Sequence, residues 1–85
     1  MKLQSLLPEV TERFKSIPSE IVERHATNIK VSGSYNDFYT RISWDCLHAV
    51  YSPSEICDWY NQYNCNDDHI TTLAKAAFHN AFQNI

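Results

Sequence analysis

The sequence predicts an all-α protein, a compact bundle of four to five short helices that forms a single domain over residues 1–85. The chain has one glycine and three prolines, which is too few turn residues for a sandwich or a barrel. Hydrophobic residues make up 44% of the chain and charged residues 20%, a balance typical of folded globular proteins. Apolar residues also recur at helical spacing along most of the sequence.

Two short helices are predicted in the N-terminal third. Pro8-Glu9 and Pro18-Ser19-Glu20 are typical of first helical turns, where proline loses no hydrogen bond and a carboxylate favours the helix dipole. The residues expected to share faces of these helices are Val10, Phe14 and Ile17 in the first and Ile21, Val22 and His25 in the second.

Residues 28–51 allow two interpretations. Apolar residues at helical spacing after a cap signal at 34–37 favour a helix over 35–51, preceded by a short extended segment at 28–33. The same region alternates with period two, which would instead give a β-hairpin at about 28–44 and an α+β fold. Because an isolated two-stranded hairpin is only marginally stable in water, the helix is the preferred prediction.

The last two helices have the strongest signals. Ser52-Pro53-Ser54-Glu55 forms a capping box with proline at the first helical position, and the helix that follows should end near Asn64. Asn66, Asp67 and Asp68 then provide a cap and an acidic first turn for a helix over 67–84. Its apolar stripe consists of Ile70, Leu73, Ala74, Ala77, Phe78, Ala81, Phe82 and Ile85.

Residues 42–74, here called the acidic window, contain no lysine or arginine and five carboxylates, so their net charge is −5. Both tryptophans and three of the five tyrosines lie in the same window. Negative charge beside amphipathic rings favours docking to a basic protein and disfavours phosphate binding. The predicted contact residues are Glu55, Asp58, Trp59, Tyr60, Tyr63, Asp67 and Asp68. The competing interpretation places the rings in the core of the bundle.

No catalytic, cofactor or metal motif is recognisable, so the sequence predicts a protein that is not an enzyme and needs no cofactor. The cysteines and histidines lack the paired spacing of zinc ligands. Cys57 has no histidine placed to serve as its base. The single glycine, Gly33, excludes glycine-rich phosphate loops.

A helix-turn-helix DNA-binding regulator is the alternative function. Helices at 53–63 and 67–84 have its outline, and Leu73-Ala74-Lys75-Ala76-Ala77 resembles the apolar run of its first helix. However, Asp67 and Asp68 would face phosphates, with Lys75 alone to compensate. Direct binding of nucleic acid is therefore disfavoured.

The preferred prediction is a small regulator or inhibitor that covers a basic site on a larger protein or nucleoprotein complex. In size and general character, the chain is similar to inhibitors encoded by phages and mobile elements, such as anti-CRISPR and antirestriction proteins. An odd number of cysteines without a signal-peptide pattern favours the cytoplasm, and no apolar run predicts a membrane span. The small residues Ala74, Ala77 and Ala81 would also allow a homodimer.

Overall fold

The computed structural model describes the backbone of residues 2–32 and 35–82, with side chains for all of these except 26, 28–32 and 35–38. A 3-10 turn, Leu3–Leu6, leads into five α-helices. These are α1 (Leu7–Lys15), α2 (Ser19–Ser32), α3 (Tyr35–Val50), α4 (Pro53–Gln62) and α5 (Asp67–Ala81). The described ranges contain no strand, which confirms the predicted all-α helical bundle.

The prediction for residues 28–33 is wrong wherever the structure describes them. Helix α2 continues to Ser32, so residues 28–32 are helical, and the alternative hairpin at 28–44 is wrong as well. Gly33 lies outside the described residues. The alternation of Thr27, Ile29 and Val31 covers too few residues to distinguish the two periods. A helix that has already formed its first turn at Ser19 extends at little further cost, which overrides the weak β preference of these residues.

Helix α5 begins at Asp67, as predicted, but ends three residues before the expected boundary at 84. Phe82 has φ −129° and ψ 60°, which is not helical, so Ala81 is the last helical residue. Residues 83–85, including Ile85 of the predicted stripe, lie outside the described part of the chain.

One hydrophobic core joins the helices, and α1, α3 and α5 make most of it. Phe14 from α1, Leu47 from α3 and Ile70 from α5 are fully buried. Ala74 and Ala77 are also fully buried, and because their side chains are small they allow neighbouring helices to approach α5 closely. The α5 stripe predicted from the sequence is therefore central to the bundle from Ile70 to Phe78, while Ala81 and Phe82 are half-buried against it.

Helix α4 packs at the edge of this core. Only Ile56 and Trp59 among its residues are buried. The Trp59 ring packs edge-on against the Tyr51 ring, with a centroid distance of 4.9 Å. The predicted capping box starts the helix, since the Ser52 hydroxyl accepts the Glu55 N–H and Glu55 accepts the Ser52 N–H. Two anchoring side chains hold α4 in place and leave its outer surface free.

The connection from α4 to α5 is a short, tightly capped segment. Asn64 has φ 49°, in the left-handed region that asparagine tolerates better than most residues. The Cys65 N–H donates to the Tyr60 carbonyl, the long hydrogen bond of a Schellman motif. This ending fixes the direction in which the chain leaves α4 and enters α5.

A histidine completes the N-terminal cap of α5, a role that was not predicted from the sequence. The Asn66 side chain accepts the His69 N–H at 3.1 Å, as expected for a cap. In return, His69 Nδ1 accepts the Asn66 N–H at 3.2 Å. Histidine therefore takes the place that glutamate or glutamine usually has in a capping box.

Replacing Ser43 with alanine should stabilise the protein. The Ser43 side chain is 0% exposed, and its hydroxyl has no hydrogen-bond partner among the residues that the structure describes. Removing a buried, unpaired hydroxyl should raise the free energy of unfolding by about 1 kcal/mol. Urea denaturation of Ser43→Ala and the parent protein measures this difference. A lower stability for the variant would show that the hydroxyl has a partner.

Replacing His69 tests the unusual cap. His69→Ala should lower the free energy of unfolding by about 0.5–1 kcal/mol, because the Asn66 N–H loses its acceptor. His69→Glu should recover that loss, since glutamate can accept the same N–H. Thermal and urea denaturation of both variants provide the measurement. Equal destabilisation by alanine and glutamate would contradict a capping role.

Candidate protein-binding surface

The five carboxylates of the acidic window are all exposed. The structure shows one salt bridge in the chain it describes, Lys15–Glu12 on α1, which lies outside the window. The negative charge of residues 42–74 is therefore not neutralised by ion pairs within the described structure. The carboxylates are Asp45 on α3, Glu55 and Asp58 on α4, and Asp67 and Asp68 on α5.

Trp59 lies in the core rather than on the surface. Its side chain is only 7% exposed and shares the inner face of α4 with Ile56, three residues earlier. Tyr51, another ring of the window, is 5% exposed beside it. A ring enclosed in this way cannot form a contact with a partner, so we exclude Trp59 from the contact surface. It instead supports α4 from beneath.

Tyr60 links α4 to the first turn of α5. Its ring is half-buried and its hydroxyl donates a hydrogen bond to the Asp67 carboxylate. This hydrogen bond, together with desolvation, raises the pKa of Tyr60 to about 12. Tyr60 and Asp67, both predicted as contact residues, are thus brought together as one hydrogen-bonded unit.

The predicted contact residues do not form a single flat patch. Successive helical residues are rotated by about 100°, so Glu55 and Asp58 lie on one flank of α4 and Tyr60 on the other. Tyr63 is half-buried and lines a groove beside α5. We use the name acidic face for Glu55, Asp58 and Tyr60 on the flanks of α4 together with Asp67 and Asp68 in the first turn of α5, where Tyr60 bonds Asp67.

Arg13, a cation beside the acidic window, makes its contacts within the protein. Because these contacts join residues far apart in the sequence, local sequence patterns could not predict them. The Arg13 guanidinium lies 4.4 Å from the centroid of the Tyr51 ring and donates to the Val50 carbonyl at 3.3 Å. The Tyr51 hydroxyl donates to the Glu9 carboxylate at 3.4 Å. Burial, and then Glu9, raise the pKa of Tyr51 to about 12. This cluster joins α1 to the end of α3 at one border of the acidic face.

The thiols have different environments, and two of them are unsuited to act as nucleophiles. Burial, followed by the charge of Asp45, raises the pKa of the Cys46 thiol to about 12. Burial also raises the pKa of Cys65, whose thiol donates to the Trp59 carbonyl at 3.4 Å. A raised pKa reduces the thiolate fraction on which nucleophilic reactivity depends. Cys57 is exposed on α4.

The remaining ligand-type side chains are dispersed. Within residues 2–32 and 35–82, no three histidine, cysteine, aspartate or glutamate side chains are grouped to bind a metal ion. His48 packs beside the half-buried Trp44 with ring centroids 5.7 Å apart, and the Trp44 indole donates to Thr71 at 2.8 Å. These contacts give the second tryptophan a structural role between α3 and α5.

Comparison with known proteins finds no matching family model, no similar curated protein and no similar solved structure. Of the helices described here, none combines the length and the apolar character needed to cross a membrane.

The two raised tyrosine pKa values predict a loss of stability at alkaline pH. The folded protein keeps the phenolic protons of Tyr51 and Tyr60 up to about pH 12, whereas their ordinary pKa is 10.0. This contribution to stability is complete below pH 10 and is lost as pH rises from 10 to 12.

Urea midpoints measured from pH 9 to pH 12 test this expectation. Tyr51→Phe and Tyr60→Phe should each show a shallower decline than the parent protein. The buried Cys46 thiol has the same direction of effect, but it remains in every variant and cancels in the comparison. Parallel curves for all three proteins would contradict the raised tyrosine pKa values.

Proposed function

We propose that this protein is a small, non-catalytic regulator or inhibitor that covers a basic site on a larger protein or nucleoprotein complex. The observation that carries the proposal is the acidic face, where exposed carboxylates on the outer helix α4 and the first turn of α5 have no ion-pair partner among the described residues. The partner surface implied by this charge is a site rich in lysine and arginine.

The charge supports rapid and selective association. The exposed carboxylates attract a basic partner over several ångströms and repel nucleic acid, so they favour proteins that themselves bind nucleic acid. A single helix that projects from a bundle can enter a groove on a partner, a common mode of recognition. Tyr60 adds an amphipathic ring of the kind that contributes strongly at interfaces.

The position of α4 supports the same proposal. Ile56 and Trp59 anchor the helix from one side, while Ser54, Cys57, Asp58 and Asn61 remain exposed on the other. The exposed surface is therefore held by a rigid core, which reduces the ordering cost of binding. An inhibitor that blocks a site needs this combination of a fixed shape and an accessible face. Small inhibitors encoded by phages and mobile elements remain the class to which we compare it.

Neutralising three carboxylates should abolish binding to the partner without disturbing the fold. The test variant combines Glu55→Gln, Asp58→Asn and Asp68→Asn. Glutamine can still complete the α4 capping box, and Asp67 is retained because it bonds Tyr60. Affinity capture from extracts of the native host, followed by mass spectrometry, should recover partners with the parent protein and lose them with the variant or in high salt.

The matched control neutralises the same number of exposed carboxylates elsewhere, with Glu12→Gln, Glu20→Gln and Glu23→Gln on α1 and α2. It should retain the captured partner. Equal loss in both variants would show that net charge matters and the acidic face does not. In a parallel titration, salt-dependent binding of duplex DNA by the pure protein would favour the helix-turn-helix alternative and overturn the proposal.

A further inference from the structure

A groove runs between the 3-10 turn at the start of the chain and helix α5, away from the outer surface of α4. Its volume is about 680 Å³, within the range of roughly 300–1,000 Å³ found for ligand sites. Leu3, Leu7 and Leu73 form an apolar floor. Ala76, with its small side chain, leaves the groove open along α5.

The polar side chains along the groove present hydrogen-bond donors. Lys2 contributes an ammonium group. His69 also lines the groove, and because its Nδ1 accepts the Asn66 N–H, the neutral ring must carry its proton on Nε2. The Tyr63 oxygen accepts a hydrogen bond from the Gln62 amide at 3.4 Å, which leaves the phenolic proton free to be donated.

The charge of the groove is opposite to that of the protein. The chain has a net charge of −3, yet none of the described residues that line the groove is acidic, and Lys2 is cationic. Asp67 and Asp68 are next to His69 in sequence but are not part of the lining. The groove therefore combines an apolar floor with donors suited to one negative charge.

We propose that this groove binds a small amphipathic carboxylate, a molecule with a single carboxylate on an aliphatic body. The aliphatic part lies on Leu3, Leu7 and Leu73, and the carboxylate accepts hydrogen bonds from Lys2 and from His69 Nε2. Tyr63 supplies a further donor. This site is separate from the acidic face and does not depend on the proposed function.

Octanoate is the probe, compared with octan-1-ol and octyltrimethylammonium at pH 7. Two-dimensional ¹H–¹⁵N NMR of the whole protein should show saturable shifts for octanoate at Leu3, His69, Leu73 and Ala76. Octan-1-ol should bind at least tenfold more weakly, because a neutral head group loses the charge-assisted hydrogen bonds. The cationic analogue should show no saturable shifts, because its charge matches that of Lys2.

Four variants locate the site. Lys2→Gln should weaken octanoate binding roughly tenfold, whereas Lys15→Gln, on the exposed surface of α1, should leave it unchanged. His69→Glu keeps an acceptor for the Asn66 N–H but adds a carboxylate to the groove, so it should abolish binding while the protein stays folded. Ala76→Leu should fill the groove and exclude both octanoate and octan-1-ol.

Four results would overturn this proposal. The first is the absence of saturable shifts with octanoate. The second is equal binding of octanoate and octyltrimethylammonium. The third is equal binding of octanoate to the parent protein and to Lys2→Gln. The fourth is binding of an acetylated acidic peptide, such as acetyl-Leu-Leu-Glu-Leu-amide, without binding of octanoate, which would make the groove a peptide site.

Discussion

Burial of the inner face of α5 against α1 and α3 is the interaction on which the rest of the structure depends. Ile70, Ala74 and Ala77 are 0% exposed. The alanines permit close helix packing, and the larger residues around them fill the core. Adding or removing even one methylene there would therefore disturb the packing of the whole bundle. Because α5 is fixed along this length, its first turn has a defined position. The connection from α4, and with it the acidic face, is placed relative to that turn.

Capping determines how α4 and α5 meet. Ser52 and Glu55 start one helix, while Asn66 and His69 start the other. Between them, the left-handed Asn64 turns the chain, and the Tyr60–Asp67 hydrogen bond closes the connection from outside. Local hydrogen bonds thus fix how α5 follows α4. Tyr60 and Asp67 of the acidic face meet at this connection, and residues 63–65 of the same connection line the groove beside α5.

The two proposed binding surfaces have opposite chemistry. The acidic face consists of exposed side chains on α4, which Ile56 and Trp59 anchor, and on the first turn of α5. The groove is concave, with a floor of leucines and donors from Lys2, Tyr63 and His69. His69 belongs to both the cap and the groove, since one ring nitrogen accepts a backbone N–H and the other remains available. His69, whose ring caps α5, thereby also supplies a hydrogen-bond donor to the neighbouring groove.

The sequence by itself determined the helical class, the starts of α4 and α5, the stripe on α5 and the acidic window, because these depend on spacing, caps and charge within short segments. Residues 28–32 joined α2 because a helix that has already formed extends at little further cost, and a short alternating run cannot specify its own period. Two features were decided only by the tertiary structure. Trp59 faces the core because its ring packs against the ring of Tyr51, the residue that follows α3. The groove exists only because the 3-10 turn lies across α5, a contact between distant parts of the chain that no local pattern encodes.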